Sequence, residues 1–345
     1  MRIGVLCASE IAKRRFMPAL LGRENWEYMG IALNSAEERF PDITDITTQC
    51  AEQKAVLAAS REKAEAFAEQ YGGKIYDSYE KMLSSDDIEA VYIPLPPALH
   101  FKWARLALEN GKHVLLEKPS TTCAADTAEL IRLAEEKNLA LHENYMFCFH
   151  EQMTAVKEIV QSGRIGDVRL YRISFGFPKR AANDFRYNKG LGGGALIDAG
   201  GYTLKCGAYF LGDTAAVKQA QVNYTEEFDV DIYGSGCMVN EEGVTAQLSY
   251  GMDNSYKCDL EIWGSKGCFT TGRILTAPVG FVPKAVIKDA EGEHELELPA
   301  DDAFGRSIDY FGRCIENRQT REESYNAVMK QAERLDAFRK LAGME

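Results

Sequence analysis

A lysine, an aspartate and a tyrosine are the residues whose surroundings best suit chemistry in this chain. Lys118 stands in Glu117-Lys118-Pro119, directly after the apolar run 113–116, which is predicted to be a strand. Because Pro119 favours extended backbone at Lys118, the lysine is held at the carboxyl end of that strand, where open α/β sheets bind ligands. A solvated Glu-Lys pair at an ordinary strand end is the alternative interpretation.

Asp198 and Tyr202 follow a glycine-dense segment and stand four residues apart. If 196–211 is helical, the two side chains share one face of the helix. A carboxylate and a phenol on one face can bind a substrate hydroxyl and relay its proton. A purely structural pair is the alternative interpretation.

The elements that position these residues begin with an alternation of apolar runs and helical patterns over the first 145 residues. This alternation predicts a doubly wound parallel sheet of the Rossmann type. A polar stretch at about 35–60 interrupts it, and we predict a surface insertion there; a role in binding cofactor or a partner is the alternative interpretation. The predicted strands are 2–6, 27–33, 74–76, 90–94, 113–116 and 139–142, and the predicted helices are 11–23, 60–71, 98–109 and 124–137.

Beyond residue 150 the pattern changes to the period of two that is typical of antiparallel strands. It predicts an α+β domain with a large, predominantly antiparallel open sheet, followed by helices near 301–317 and 320–341. We therefore predict a Rossmann domain over 1–122, extended by 123–148, and a substrate and oligomerisation domain over 149–345. The predicted strands are 169–175, 217–224, 229–239, 244–250, 257–263, 268–271, 285–288 and 293–298.

A Rossmann sheet binds the pyrophosphate of a dinucleotide at the turn after its first strand, where glycines let the backbone approach the phosphates. Here Cys7 and Ser9 occupy two of the glycine positions, so the motif is a weak fingerprint. Ser9 is still able to cap the following helix and to offer a hydroxyl to phosphate. The residues predicted to line the cofactor at this turn are Cys7, Ala8, Ser9, Glu10 and Ile11.

Cofactor identity is indicated by the end of the second strand. It runs into Asn34-Ser35 without the acid that holds the ribose of NAD, which slightly favours NADP over NAD. Candidates to receive a 2′-phosphate are Lys13, Arg14 and Ser60-Arg61, although exposed basic residues are common for solubility alone. The proline-rich loop after the fourth strand is stiff and opens a helix at the same sheet edge, so it lines the cofactor or only forms a rigid turn. Its candidate residues are Pro94, Leu95, Pro96 and His100.

Composition narrows the class of protein. The net charge of −12 disfavours nucleic-acid binding, which needs a basic surface. Nine cysteines without close pairs favour reduced thiols over a disulfide framework or a zinc cluster, so we predict no metal. No apolar run approaches the roughly 20 residues that a membrane span needs, and we expect a cytoplasmic protein without membrane partners.

Taken together, these motifs resemble the glucose–fructose oxidoreductase/inositol dehydrogenase (Gfo/Idh/MocA) family of NAD(P)-dependent sugar oxidoreductases. The spacing holds over nearly the whole chain apart from the insertion. Four ordered matches carry the resemblance: Pro96…His100-Phe101-Lys102-Trp103, Gly111-Lys112-His113-Val114 through Glu117-Lys118-Pro119, Glu143-Asn144-Tyr145-Met146…His150, and Gly192-Gly193-Gly194-Ala195-Leu196-Ile197-Asp198.

The resemblance implies roles for individual residues. Lys118 would hydrogen-bond the reacting hydroxyl and the nicotinamide ribose, with Glu117 beside it at the cofactor. Asp198 would orient the substrate, and Tyr202 would be the general acid/base at a position that is histidine in the inositol dehydrogenase-like members. Arg186 and Lys205 are candidate contacts for a substrate anion or plain solvated side chains.

The activity implied is hydride transfer to or from a secondary hydroxyl of a sugar-like substrate, with NADP or NAD as cofactor, in a homodimer or homotetramer. Two alternatives remain open at this point. One is a nucleotide-sensing regulatory protein that keeps the fold without turnover, which the glycine-poor turn favours. The other is a cofactor-assisted glycosidase.

Overall fold

Six parallel strands form the first sheet of the computed structural model, which describes residues 1–40 and 50–344. The strand order β3-β2-β1-β4-β5-β6 is that of a doubly wound Rossmann sheet. The Rossmann fold predicted from the sequence is therefore confirmed. The strands are β1 Arg2–Leu6, β2 Glu27–Ala32, β3 Lys74–Tyr76, β4 Ala90–Ile93, β5 His113–Leu116 and β6 Leu141–Glu143.

The central strands are apolar because helices cover both faces of a parallel sheet. All four residues of β4 are buried, as are Val114, Leu115 and Leu116 of β5. The strand order reverses between β1 and β4, and ligands bind at the carboxyl ends of the strands beside such a reversal. The residues that follow β1, β4 and β5 are therefore positioned to line a ligand.

The helices of this half differ from the prediction in their bounds. The helix predicted over 60–71 begins earlier, and the helix predicted over 11–23 has a π-helical first part, Ala12–Phe16. The strand predicted over 139–142 lies instead at Leu141–Glu143, and the helix Tyr79–Leu83 was not predicted because it is only five residues long. The helices are α1 Met17–Leu21, α2 Ala36–Arg39, α3 Ala51–Tyr71, α4 Tyr79–Leu83, α5 His100–Glu109 and α6 Ala124–Lys137. Residues 41–49 of the predicted insertion lie outside the described residues; its other parts form α2 and the start of α3.

The second sheet has eight strands in the order β14-β13-β12-β11-β7-β10-β9-β8. Neighbouring strands are antiparallel except β7 and β10, which are parallel. This confirms the large, predominantly antiparallel sheet. The strands are β7 Val168–Gly176, β8 Ala216–Thr225, β9 Phe228–Val239, β10 Thr245–Gly251, β11 Lys257–Gly264, β12 Gly267–Gly272, β13 Lys284–Asp289 and β14 Gly292–Glu297.

Burial alternates along these strands, as expected of a sheet with one covered face. Ile173, Leu248 and Leu260 lie in the core, whereas Arg172 and Ser249 face outward. The segment predicted as a helix over 196–211 begins with a π-helical turn, Leu196–Gly200, and continues as α8, Gly201–Leu211, which packs on β7 and β10. An additional helix, α7 Glu151–Gln161, was not predicted; α9 Ala303–Glu316 and α10 Arg318–Leu341 follow the sheet.

Contacts divide the chain into two compact units. The first comprises Met1–Ser120, Ala125–Asn144 and Ile308–Asn326, and the second comprises the remaining residues. Residues 308–326 thus pack with the first unit, whereas the sequence-based division places them in the second domain. Trp26 stacks on Phe311 at 5.6 Å between ring centroids, for example. Among the described residues, no helix has the length and apolar character that crossing a membrane requires.

Candidate active site

The turn after β1 holds Cys7 in a conformation that usually requires glycine. Its φ is 91°, and its N–H donates to the carbonyl oxygen of Ala32 at 3.1 Å. Its thiol shares a hydrogen bond with the hydroxyl of Tyr79, and the side chain packs against the hydrophobic core of the first unit. Ser9 accepts a hydrogen bond from the N–H of Ala12 at 3.2 Å, which confirms its predicted capping role. Cys7 thus has the positive φ that glycine usually supplies in a phosphate-binding turn, and the helix that follows is capped by Ser9.

Two cations that were not predicted lie close enough to this turn to act on Cys7. Burial raises the pKa of the Cys7 thiol, whereas the hydrogen bond from Tyr79 and the charges of Lys63 and Arg39 lower it. Both cations are exposed and come from α2 and α3. The sequence could not single them out because only the packing of these helices brings them to the turn.

The predicted 2′-phosphate candidates are placed less favourably. Arg61 forms an ion pair with Asp77 at 3.0 Å, and Ser60 donates to Oδ1 of Asn34 at 3.3 Å. Lys13 and Arg14 are exposed on the helix that follows the turn. Asn34 thus lies between β2 and α3, where its side chain joins the two elements.

The buried ring of His100 contacts the proline-rich loop and the segment after β5. Its Nδ1 lies 2.8 Å from the carbonyl oxygen of Pro119 and its Nε2 lies 2.7 Å from that of Leu95. The ring is completely buried, and this burial lowers its pKa to about 4. His100 therefore lies between the loop after β4 and the segment after β5 and contacts a carbonyl oxygen of each.

Glu117 anchors the end of β5. Its Oε1 accepts hydrogen bonds from the hydroxyl of Tyr92 and from Nδ2 of Asn144, both at 2.7 Å. Burial raises the pKa of this carboxyl, and the hydrogen bonds and the charge of Lys118 oppose the rise. Because Glu117 is held from two sides, the backbone of Lys118 is fixed at the carboxyl edge of the sheet, beside the reversal point.

In the second unit, Arg186 binds the predicted substrate-orienting aspartate. Its Nε donates to Oδ2 of Asp198 at 2.6 Å, and its Nη1 donates to Oδ1 of Asp184 at 3.1 Å. Burial lowers the pKa of Arg186, but the Asp198 and Asp184 carboxylates raise it by more. The guanidinium therefore stays charged. Arg186 and Asp198 are brought together as predicted site residues, and Asp184 was missed.

The glycine-dense segment before Asp198 allows close backbone approach. Gly192 has the left-handed φ of 76° that ends the preceding turn. A Cβ on Gly193 would lie 2.4 Å from the carbonyl oxygen of Arg186. A π-helical turn then carries Asp198, and such turns are frequent at functional sites.

Tyr202 lies among aromatic rings with 9% of its surface exposed. Its ring centroid is 5.2 Å from that of Tyr145 and 5.3 Å from that of Phe175. Lys205 donates from Nζ to the carbonyl oxygen of Ala327 at 3.1 Å and lies 5.6 Å from the Tyr145 ring. The rings fix the orientation of Tyr202, and Tyr145 contacts both predicted residues.

Comparison with known proteins identifies the family. Residues 1–145 match an oxidoreductase family profile with an NAD-binding Rossmann fold, and residues 153–270 match the GFO/IDH/MocA C-terminal domain. The chain is 37% identical to dTDP-3,4-didehydro-2,6-dideoxy-alpha-D-glucose 3-reductase of Streptomyces violaceoruber, covering 99% of this chain and 95% of the relative. It is 32% identical to D-xylose 1-dehydrogenase (NADP(+)) 2 of Haloferax volcanii, covering 81% and 88%.

Among solved structures, KijD10 of Actinomadura kijaniata, a 3-ketoreductase in complex with NADP and TDP-benzene, superposes with a TM-score of 0.88. It is 33% identical, and the match covers 99% of this chain and 97% of that one. These similarities confirm the family, the fold and the type of reaction predicted from the motifs. The chain belongs to the Gfo/Idh/MocA oxidoreductase family, and it is an NAD(P)-dependent oxidoreductase that acts on the CH–OH groups of sugars.

Proposed function

We propose that this enzyme reduces a 3-keto group on a dTDP-linked deoxysugar and that it uses NADPH. The observation that carries the proposal is the 37% identity with the Streptomyces violaceoruber 3-reductase along 99% of the chain. The fit to KijD10, which was crystallised with NADP and TDP-benzene, supports both the nucleotide handle and the cofactor.

The first unit contains features that fit a phosphorylated dinucleotide. The turn at Cys7 keeps the positive φ that a pyrophosphate-binding turn needs, and the next helix starts at Glu10. We propose that Arg39 and Lys63 hold the 2′-phosphate, because they are exposed cations on α2 and α3, two helices that follow β2. The turn residues Ala8 and Ile11 would contact the phosphates through their backbone. When bound, the nicotinamide supplies the hydride.

Lys118 is proposed to bind the oxygen that becomes charged during reduction. As hydride reaches the carbonyl carbon, negative charge develops on the carbonyl oxygen. An ammonium group placed there stabilises this charge, typically by a few kcal/mol. The fixed backbone at the carboxyl edge of the sheet supports this role, since it limits the positions that the lysine can reach.

Tyr202 is proposed to donate the proton that completes the hydroxyl. Its O–H bond breaks, a bond forms between that proton and the sugar oxygen, and the phenolate regains a proton from solvent. Asp198 is proposed to orient the sugar by accepting from a hydroxyl, and Arg186 fixes the position of the Asp198 carboxylate through its hydrogen bond. Lys205 is proposed as a further contact for substrate.

The relatives support this choice of residue types. KijD10 was also crystallised as variants in which one lysine or one tyrosine was replaced. Lys118 and Tyr202 are the lysine and tyrosine of the family motifs in this chain, and we propose that each takes part in the reaction. This would make them jointly necessary for turnover.

Assembly and location follow as further proposals. We propose a homodimer or homotetramer formed through the outer face of the second sheet, where Trp263 and Tyr233 are 53% and 47% exposed. Exposed aromatic side chains on a flat sheet face favour self-association. We also propose a cytoplasmic location, which the nine cysteines support because none of them is in a disulfide.

The proposed function is tested by following NADPH consumption with dTDP-3,4-didehydro-2,6-dideoxy-α-D-glucose. We expect turnover with NADPH and a lower kcat/KM with NADH. Tyr202→Phe removes the proton donor and should lower kcat about 10²- to 10⁴-fold. Lys118→Met should lower it about 10²- to 10³-fold. Lys340→Met and Tyr224→Phe, both at exposed positions, are the matched controls and should keep wild-type kcat.

Other outcomes would redirect the assignment. Activity with D-xylose and NADP but none with the dTDP sugar would replace the proposed substrate by a free sugar. Release of free sugar without net nicotinamide change would indicate a glycosidase. Nucleotide binding without any turnover would indicate a regulatory protein.

A further inference from the structure

The helix that carries Asp198 and Tyr202 begins at a contact with a residue from another element. The N–H of Leu196 donates to Oδ2 of Asp231 at 2.7 Å. Asp231 lies on β9 and is only 3% exposed. The first N–H groups of a helix have no partner inside the helix, so Asp231 supplies an acceptor that the helix itself lacks.

This approach of the carboxylate is possible only because of a glycine. Gly194 has a φ of 117°, and a Cβ at this position would lie 2.4 Å from Oδ1 of Asp231. Any other residue would push the carboxylate away from the helix start. Gly194 also donates its N–H to the carbonyl oxygen of Arg186 at 2.9 Å, so the same residue joins the helix start to the partner of Asp198.

Asp231 lies in surroundings that disfavour an ionised carboxylate. Its neighbours on β9, Val230 and Ile232, both belong to the buried core of the second unit. Burial raises the pKa of Asp231 to about 6, while the N–H of Leu196 and the charge of Arg339 lower it. A buried carboxyl is costly unless its hydrogen bonds compensate, and here the main one goes to the start of the helix.

We propose that Asp231 is a positioning residue for the reaction, fixing the start of the helix so that Asp198 and Tyr202 stand where substrate needs them. The inference rests on the proposed roles of these two residues. Asp198 lies two residues beyond the anchored Leu196, and Tyr202 lies one turn further. A helix start that is free to shift or fray would move both side chains together.

Asp231→Asn and Asp231→Leu form a matched pair that tests the contact. Both are uncharged and similar in size, but only the asparagine has an oxygen that can accept the N–H of Leu196. With NADPH and the dTDP-ketosugar, we expect Asp231→Leu to lower kcat about 10- to 100-fold, since small misplacements of reacting groups are costly. Asp231→Asn should stay close to wild type. The dissociation constant for NADPH, measured by fluorescence titration, should be unchanged in both.

Asp301 provides a control of the same kind. Its Oδ2 accepts from the N–H of Glu151 at 2.9 Å, at the start of α7, which carries none of the proposed catalytic residues. We expect Asp301→Leu to lower thermal stability without lowering the kcat of the folded enzyme. Equal losses of kcat in Asp301→Leu and Asp231→Leu would show a general effect of destabilisation and would overturn the assignment.

The remaining outcomes separate this inference from the proposed function. Wild-type kcat in folded Asp231→Leu, together with a large loss in Tyr202→Phe, would remove the positioning role and leave the catalytic one. Wild-type kcat in Tyr202→Phe would remove the catalytic role itself. If Asp231→Leu does not fold, Asp231→Glu replaces it, because one more methylene in this buried space displaces the carboxylate. Wild-type kcat in folded Asp231→Glu would also overturn the inference.

Discussion

Cys7 shows how a single residue can depart from a motif and keep its geometry. A side chain at a φ of 91° is strained because Cβ approaches the backbone, which is the reason that glycine is usual there. The hydrogen bond between the thiol and Tyr79 draws the side chain into the core. The turn therefore has the backbone conformation of a glycine turn with a cysteine in that position, at a cost in conformational strain.

Replacing Cys7 by glycine or alanine measures this strain. Both changes remove the thiol, but only glycine relieves the unfavourable φ. We expect Cys7→Gly to be more stable than Cys7→Ala by about 1 kcal/mol, and to bind NADPH at least as tightly as wild type. Urea unfolding and fluorescence titration give the two quantities. Equal stability of the two variants would mean that the turn carries no strain at this residue.

Local patterns in the sequence were sufficient to select Lys118, Asp198 and Tyr202 as candidate site residues. Each follows a recognisable strand end or glycine-dense segment, so the pattern that marks it lies next to it in the chain. Arg39, Lys63 and Asp231 were missed for the opposite reason. Their partners are far away in the sequence, and only the packing of helices and strands brings them together.

At the scale of elements, the start of the helix before α8 is built by three segments. Arg186 binds Asp198, Gly193 and Gly194 allow close approach, and Asp231 reaches in from β9. The helix itself could be predicted, but its π-helical first turn could not, because helical periodicity does not distinguish the two forms over five residues.

Asp231 also makes stability depend on pH in a definite direction. Burial raises its pKa to about 6, above the value of about 3.9 in an unfolded chain. Between these pH values the folded state binds more protons than the unfolded state, so the contribution of Asp231 to the free energy of unfolding falls as pH rises. The free energy of unfolding of Asp231→Asn, relative to that of wild type, should therefore rise by about 2 kcal/mol between pH 4 and pH 7.

Urea unfolding at several pH values measures this difference, and Asp301→Asn is the control of opposite sign. Burial opposes ionisation of Asp301, but hydrogen bonds from Arg306 and from the N–H of Glu151 lower its pKa. The ionised Asp301 therefore stabilises the folded state at neutral pH, and this stabilisation is lost on acidification. Relative to wild type, the free energy of unfolding of Asp301→Asn should thus fall as pH rises. A stability difference for Asp231→Asn that does not vary with pH would contradict the prediction.

At the scale of the molecule, the outer face of the second sheet is the surface that we propose for assembly. Trp263 packs near Arg172, with the guanidinium 5.9 Å from the ring centroid, and both residue types are common at the centres of interfaces. The period of two in the sequence predicted the open sheet, but this alternation does not show what covers its outer face.

Light scattering during size-exclusion chromatography tests the assembly. We expect wild type to elute as a dimer or tetramer and Trp263→Glu to shift towards monomer, because a buried charge would be left unpaired in the interface. Val279→Glu, a change at a 64% exposed residue away from the strands, is the control and should not alter the mass. A wild-type protein that elutes as a monomer would contradict the proposed dimer or tetramer.

The parallel pair β7–β10 has a consequence for synthesis on the ribosome. β7 is made first among the eight strands, yet both of its neighbours, β10 and β11, come from residues made much later. While β8 and β9 emerge, β7 has no partner on either edge, and its apolar face has no sheet to join. Sheets with such long-range pairing fold slowly, so the nascent chain must wait for β11 before its central strand is protected from aggregation.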